Sequence, residues 1–269
     1  MMNIFLRELK AHRRALIIWS VCMILGVYSG MYKYTAYTAG TAGAPSINDI
    51  VKAMPGTVRA LFGFGSFDVS TMAGYFAVLT VYIQLALGIH AALLGAGIIS
   101  KEERDKTTEY LMVKPVSRGY IITSKLCAAL FNVVVLNLVL LLSSLAIVPA
   151  YNKGKDISHE ILLIMLSMFF LQLLFLTLGA GLAACMRKPK GAGSIVTGFI
   201  LIAYFIARVT DMNDRLNPLN ILSPFKYFDL SKIVAGNGLN SGIVLITLLL
   251  IAVFTGSTYF FYSRRDLNV

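Results

Sequence analysis

The sequence predicts an all-α membrane protein with six transmembrane helices, and three observations support that fold class. Hydrophobic residues make up 57% of the 269 residues and charged residues only 14%, whereas soluble proteins carry about 25% charged residues. Six apolar runs are each long enough to cross ~30 Å of hydrocarbon, which takes about 20 helical residues. The runs lack the polar alternation of a porin strand, so helices are favoured over a barrel. They cover residues 15–34, 74–99, 120–149, 161–186, 191–209 and 241–262.

Lysine and arginine are distributed unequally between the two sides of this six-span arrangement. Fifteen of the 24 lie before the first span, in the two loops after the second and fourth spans, or after the last span. The other nine lie in the longer loops on the opposite side. Because basic residues are retained in the cytoplasm, both termini are predicted to be cytoplasmic. This retention and contact with anionic lipid account for the net charge of +11, so we expect a lipid bilayer and no nucleic acid as partner.

The first fourteen residues have the pattern of an interfacial amphipathic helix. Ile4, Phe5, Leu9 and His12 fall on one helical side, and the basic residues fall mostly on the other. A signal peptide is the alternative, but the following apolar run is longer than a typical signal sequence and five more spans follow it. The sequence therefore predicts a separate interfacial helix over residues 1–14, followed by a membrane anchor.

Residues 100–118 form a highly charged loop between the second and third spans. Ser100 and Glu103 have the spacing of a capping box, which predicts a helix start, and Pro115 predicts its end. Ser117 offers a second N-cap, for the third span. Within the loop an apolar stripe is predicted at Thr107, Tyr110, Leu111 and Lys114. A solvated connecting loop is the alternative interpretation.

The residues of this loop resemble the signature that follows the second span in the type-2 family of ATP-binding cassette exporter permeases. The match is carried by Glu102, Thr107, Glu109, Leu111, Pro115, Val116, Ser117, Arg118 and Lys125. Two positions depart from it, because family members often have Gly where this chain has Lys106 and an acid where it has Arg104. A second match lies before the last span, at Ser223, Pro224, Phe225, Tyr227 and Phe228.

The resemblance implies that residues 100–118 contain a coupling helix that docks into a groove on a separate ATPase subunit. The coupling residues are then Glu102, Thr107, Glu109, Tyr110, Leu111, Pro115, Ser117 and Arg118. Tyr110 and Leu111 would fill the groove, while Glu102, Glu109 and Arg118 would make charge contacts at its rim. Residues 1–14 would be an elbow helix beside the ATPase, and the chain would be one six-span permease domain over residues 1–269.

Two outer segments, residues 35–73 and 211–240, are predicted to lie at the membrane surface. In the first, Ser46 can cap a helix whose apolar face holds Ile47, Ile50, Val51 and Met54, and a second short helix follows. Interfacial packing is favoured over a substrate lid. In the second, prolines break the helix and the segment is predicted to dip into the outer leaflet. Arg208 and Asp211, just before it, can pair on one helical face.

Five polar side chains lie within the predicted spans. They are Gln84, His90, Asn132, Asn137 and Gln172. Such groups are costly in lipid and are expected to face protein or a water-filled path. Hydrogen bonding between helices and lining of a transport pathway both remain open.

Small residues also recur in the spans and allow close helix packing within the chain. They are Gly88, Ala92 and Ala96, Gly26 and Gly30, and Ser194 and Gly198.

The sequence contains no motif for catalysis. It has no phosphate-binding G-x-x-x-x-G-K-[ST] run, no H-E-x-x-H zinc motif and no G-x-S-x-G elbow. The three histidines are far apart, so no metal site is expected. The three cysteines lie in or at the ends of spans and are expected to be small packing residues. We therefore expect no enzyme activity and no cofactor in this chain, with ATP and Mg on the partner ATPase.

Together these features favour a membrane permease that forms half of a translocation pathway and is driven by an ATP-binding cassette ATPase. The resemblance implies a second permease chain, identical or related, and export of a small or hydrophobic substrate such as a drug, peptide antibiotic, ion or lipid-like molecule. We expect a multi-pass protein of a bacterial plasma membrane. A carrier driven by an ion gradient and a non-transporting sensor or scaffold are the alternatives; the carrier would need intramembrane acids that the spans lack.

Overall fold

The protein is all-α over the residues that the structure describes. A computed structural model describes residues 2–264 except 39–46, 65–66, 108–115, 153, 155 and 187–190. The α-helices in this part are α1 Met2–Thr38, α2 Ile47–Ala53, α3 Gly56–Leu61, α4 Met72–Arg104, α5 Arg118–Tyr151, α6 Ser158–Cys185, α7 Ala192–Thr210, α8 Leu230–Val234 and α9 Ser241–Arg264. Two 3-10 helices, Asp214–Leu222 and Pro224–Lys226, precede α8.

Six of the described helices are long and apolar enough to cross a membrane, which confirms the predicted fold class. They are α1, α4, α5, α6, α7 and α9. Three of them begin at side-chain caps, and in α9 the cap is Asn240, whose side-chain oxygen accepts from the Gly242 N–H at 2.9 Å. The hydroxyl oxygen of Thr71 accepts a hydrogen bond from the Gly74 N–H at 3.1 Å, and that of Ser117 accepts one from the Tyr120 N–H at 3.3 Å. The sequence-based prediction of the Ser117 cap is therefore confirmed.

The end of α4 differs from the sequence-based prediction. A helix start is predicted at Ser100, but α4 runs through this residue without a break and ends at Arg104. That prediction is wrong, because charged side chains of this turn are paired with other helices and keep it helical. Lys106 then adopts a left-handed φ of 55°, and the Thr107 N–H donates to the Glu102 carbonyl oxygen at 2.8 Å. This is a Schellman C-cap, and its left-handed position is the one where glycine is favoured.

The first helix is continuous from Met2 to Thr38. Residues 2–14 are helical, as predicted, but they do not form a helix separate from the first span. The sequence has no glycine or proline before Gly26, so nothing in it interrupts the helix. With a rise of 1.5 Å per residue, α1 is about 55 Å long, which exceeds the ~30 Å of hydrocarbon. Its first turns contact the ends of α4 and α5.

The helices α4 and α6 run in the same direction and pack with their backbones in contact. A Cβ atom added at Gly95 would collide with the Leu176 carbonyl oxygen, and one at Gly179 would collide with that of Ala92. Only a glycine allows these approaches. The ridge predicted at Gly88, Ala92 and Ala96 is thus confirmed as a packing surface within the chain.

The other small-residue pairs pack less closely. A Cβ atom at Gly30 would meet the Leu79 side chain, whereas Gly26 and Gly198 have nothing within 4 Å of such an atom. The remaining spans surround α4 and α6: α1 lies along α5, α7 lies against α4, and α9 lies against α6. The outward sides of α1, α7 and α9 carry large exposed hydrophobic residues, as lipid-facing helices do. Cys22, Cys127 and Cys185 are free and exposed, so the prediction that they are packing residues is wrong.

The bundle has two ends, which we call the terminal face and the opposite face. The terminal face holds the start of α1, the end of α4, the start of α5 and the end of α9. The opposite face holds α2, α3, the two 3-10 helices and α8. On the opposite face the predicted pair of short helices is confirmed as α2 and α3. Their apolar residues differ in burial, because Val51 packs with Val69 and Val78, whereas Ile50 is 43% exposed.

The segment before α9 packs into the bundle. Pro218 lies inside a 3-10 helix, so the predicted interruption of α-helix is confirmed. The Ser223 hydroxyl donates to the Ala203 carbonyl oxygen at 2.7 Å. The ring of Phe225 then lies between helices, with its centroid 5.2 Å from that of Phe175 and 5.4 Å from that of Tyr204. The segment therefore packs between α6 and α7 from the opposite face.

Candidate functional site

Five charged side chains form a cluster at the terminal face, which we call the terminal cluster: Arg7, Glu8, Lys101, Glu102 and Lys125. The Arg7 guanidinium donates to Glu8 at 2.9 Å and to Glu102 at 3.0 Å. The second oxygen of Glu8 accepts from the Lys101 ammonium at 3.2 Å, and the second oxygen of Glu102 accepts from Lys125. The cluster thus joins α1, α4 and α5 through alternating charges.

The centre of the terminal cluster is closed to solvent. The side chains of Glu8 and Lys125 are 0% exposed, and Lys125 also donates to the Ile98 carbonyl oxygen at 2.7 Å. A buried charge without partners would cost several kcal/mol, and each of these two groups has two hydrogen-bond partners that offset this cost. Arg7 and Lys101, in contrast, are partly exposed. The cluster therefore fixes three helix ends at its centre and contacts solvent at its edge.

The terminal cluster holds the two ends of the segment 105–117. Glu102 lies in the last turn of α4, before that segment, and its partner Lys125 lies two turns into α5, after it. A second contact comes from Arg118, which donates to the Ser263 carbonyl oxygen at the end of α9 at 3.1 Å. The helices on either side of the segment are therefore bonded to each other and to α9.

The predicted coupling residues have different environments. Glu102 is buried, with 7% of its side chain exposed, and its carboxylate pairs with Arg7 and Lys125 within the chain; its rim contact with a partner stays a prediction. Arg118 is half-buried and bonded to α9. Thr107 is exposed after the α4 cap, and Ser117 caps α5. The other predicted coupling residues, Glu109, Tyr110, Leu111 and Pro115, lie outside the described residues.

The contribution of α1 to this site was not predicted from the sequence. Glu8 is the only acidic residue among the first fourteen, and it lies one helical turn after Ile4 on the apolar side of the helix. An acid on a buried stripe requires a basic partner. This requirement is the signal in the sequence that could have revealed the contribution of α1. Its partner Lys101 is 93 residues away along the chain, and no local pattern identifies a pair at that distance.

Of the five intramembrane polar residues, two lie on α4. His90 is buried and its ring contacts Trp19 of α1 in a tilted arrangement, with centroids 4.8 Å apart and an interplanar angle of 55°. Its Nδ1 atom has no hydrogen-bond partner among the described residues. Gln84 lies nearer the opposite face and lines a cavity of about 170 Å³ together with Arg208 and Phe225.

The other three polar residues lie on α5 and α6. The Asn132 side chain donates to the Ala128 carbonyl oxygen of its own helix at 2.8 Å. Asn137 Nδ2 and both amide atoms of Gln172 are buried without a hydrogen-bond partner in the described part of the chain. Over that part, none of the five polar residues makes a hydrogen bond to a neighbouring helix.

A second charged cluster lies at the opposite face. Asp211 pairs with Arg208 at 3.2 Å and with Lys226, so the predicted pair on α7 is confirmed. The Arg208 guanidinium also lies 5.4 Å from the centre of the Tyr204 ring. Because Lys226 belongs to the segment that carries Phe225, these ion pairs hold that segment against α7.

Sequence comparison agrees with the fold of a six-span membrane protein. A family model described as ABC-2 family transporter protein matches residues 2–267. The chain belongs to the ABC-2 transporter family. As a member it is a membrane permease of an ATP-binding cassette (ABC) transporter, and membership implies partnership with an ABC ATPase. No curated protein matches the sequence.

Membership also agrees with the chemistry of the described side chains. The ABC-2 family is the membrane transport subunit and not the ATPase itself. Among the described residues, no three His, Cys, Asp or Glu side chains are grouped so that they could hold a metal ion. The charged groups of this ABC-2 protein pair with one another at the two faces, which is an arrangement that positions helices.

Proposed function

We propose that this ABC-2 protein forms half of a translocation pathway and couples to a separate ATPase through residues 100–118 at the terminal face. The observation that supports this most directly is the terminal cluster. It attaches the ends of the segment 105–117 to three helices at once, and a site that receives mechanical work needs such an attachment. ATP and Mg would then be bound by the partner ATPase, and this chain would have no cofactor of its own.

The route of coupling follows from the contacts. A push on the segment 105–117 would displace the ends of α4 and α5 together, because Glu102 and Lys125 join them. The helix α1 would follow through Arg7 and Glu8. Movement of α4 would also move α6, because their backbones are in contact at Gly95 and Gly179 and close-packed helices have low compressibility. A local displacement would in this way change the arrangement of the whole bundle.

The terminal face would be cytoplasmic, because it holds most of the basic residues and would have to face the ATPase. The chain would lie in a bacterial plasma membrane and would act with a second permease chain, identical or related. Its substrate would be small or hydrophobic, such as a drug, peptide antibiotic, ion or lipid-like molecule. Export is the expected direction.

The experiment that tests the proposal is co-purification of the native complex without crosslinker. We expect an ABC ATPase in a stoichiometric amount and ATP hydrolysis that is stimulated when the permease is present. A permease that purifies without any ATPase would contradict the proposal and favour a carrier or a scaffold. Bound ATPase whose hydrolysis responds to no candidate substrate would favour a sensor.

A second part of the proposal assigns a pathway-lining role to the intramembrane polar residues. It is supported by the unbonded polar atoms of His90, Asn137 and Gln172, each of which costs about 1–3 kcal/mol if it stays buried and unpaired. Gln172→Leu should then raise the thermal stability of the permease and lower substrate-stimulated hydrolysis. A loss of stability would indicate that this amide bonds to a neighbouring helix and has a structural role.

A further inference from the structure

A cavity of about 340 Å³ lies at the opposite face, away from the terminal cluster. Its walls come from the last turns of α1, from α2 and from the first turns of α4. This volume is near the lower end of the range for ligand pockets, about 300–1,000 Å³. Its α1 and α4 walls belong to helices long and apolar enough to cross a membrane, so a lipid is a candidate ligand.

The walls of the cavity are apolar because their polar groups are already bonded. The Tyr75 hydroxyl donates to the Gly30 carbonyl oxygen at 3.0 Å. The Tyr82 hydroxyl donates to the Phe62 carbonyl oxygen at 2.6 Å, and the Ser29 hydroxyl donates to a backbone oxygen of its own helix at 3.1 Å. The remaining wall is made mainly of aliphatic and aromatic side chains. A polar ligand would find few hydrogen-bond partners here and would lose its hydrogen bonds to water. A hydrocarbon chain makes no hydrogen bonds and would lose none on entering.

One charged side chain lies at the mouth of the cavity. Among its described lining residues, Lys33 alone is charged, and it is exposed and makes no hydrogen bond or ion pair with a described residue. Lys33 follows Ser29 by one turn towards the end of α1. From the Lys33 end, the wall formed by α4 continues from Tyr75 to Tyr82, a rise of about 10 Å along the helix.

The cavity therefore matches an anionic lipid in a membrane leaflet. Lys33, the one cation among its described lining residues, can meet the headgroup, and the apolar walls can meet an acyl chain. We propose that it binds one acyl chain of an anionic phospholipid, whose phosphate pairs with Lys33. A lysine at a membrane surface attracts anionic headgroups, and its aliphatic stem can follow the wall while the ammonium stays in water. This site is independent of the coupling function at the terminal face.

The test uses the full chain in nanodiscs of phosphatidylcholine with a trace of phosphatidylglycerol that carries a photoreactive acyl chain. Crosslinked peptides are mapped by mass spectrometry. We expect labelling to be concentrated on residues 75–82 and on α2, and to be competed by unlabelled phosphatidylglycerol. Lys33→Gln should reduce it about fivefold, the effect of one lysine near an anionic headgroup. Lys52→Gln is the matched control, because Lys52 is exposed on α2 but does not line the cavity, and it should leave labelling unchanged.

A second variant blocks the slot itself. Ser29→Phe adds a ring at an exposed lining position and should abolish labelling at residues 75–82; Ile50→Trp does the same from α2 if Ser29→Phe fails to fold. Labelling spread evenly over the lipid-facing helices would overturn the proposal. So would equal labelling of the Lys33→Gln and Lys52→Gln variants, or equal competition by phosphatidylcholine, which would show a slot without headgroup recognition.

Discussion

The buried ion pair of Lys125 and Glu102 gives the sharpest prediction on stability. Lys125→Met keeps the apolar stem but removes the charge. The Glu102 side chain, which is 7% exposed in the native chain, then keeps only Arg7 as its partner. Removing one member of a buried pair typically costs about 3–5 kcal/mol. Arg104→Met is the control at the same face, because Arg104 and its partner Asp105 are 53% and 45% exposed. Its loss should cost at most about 1 kcal/mol.

The free energy of unfolding can be followed in mixed micelles through the fluorescence of the single tryptophan, Trp19, whose ring contacts His90. Adding Glu102→Leu to Lys125→Met removes the carboxylate that was left underpaired, so the double variant should recover at least about 2 kcal/mol of the loss. If the stability losses of Lys125→Met alone and Glu102→Leu alone add up to the loss of the double variant, Lys125 and Glu102 are not coupled. If Lys125→Met and Arg104→Met cost the same, the argument from burial is wrong.

Three further predictions concern orientation, packing and the α4 cap. In a chain without native cysteines, cysteines at Lys106 and Lys188 should react with an impermeant maleimide only after the membrane is opened, whereas one at Lys153 should react in intact cells; the reverse pattern would invert the topology. Gly95→Ala should cost about 3 kcal/mol, because its Cβ would collide with a backbone oxygen of α6, while Gly198→Ala should cost nothing; equal melting temperatures would contradict the close contact. Lys106→Gly should stabilise the chain by about 1 kcal/mol, because it relieves a left-handed residue, and an unchanged melting temperature would argue against that cap.

Features of the fold that depend on neighbouring residues were predicted from the sequence, and features that depend on contacts between particular residues of different helices were not. The six spans follow from apolar runs, and the cap at Ser117 follows from one hydroxyl beside a run. The predicted start at Ser100 has the same kind of local support, but it fails because the turn containing it is held helical by contacts with other helices. Propensity signals of about 1 kcal/mol give way to buried ion pairs of larger energy.

The candidate site was predictable only in part, for the same reason. The motif around the charged loop indicated Glu102 as a contact for a partner, yet its carboxylate is used within the chain by Arg7 and Lys125. Glu8 has a partner 93 residues away, and Gly95 meets a backbone oxygen of a different span. Such pairings depend on how the helices assemble, which the sequence of one segment does not specify.

The central claim is that residues 100–118 couple this permease to an ATPase, and one pair of variants tests it most directly. Tyr110→Ala with Leu111→Ala removes two predicted groove-filling side chains, each worth about 2 kcal/mol at such an interface, while Lys106→Ala serves as the control. We predict that the double variant remains folded but loses the ATPase in a pull-down or loses stimulated hydrolysis, and that Lys106→Ala retains both. Full retention of the ATPase with unimpaired stimulation in the double variant would contradict the coupling role of this segment.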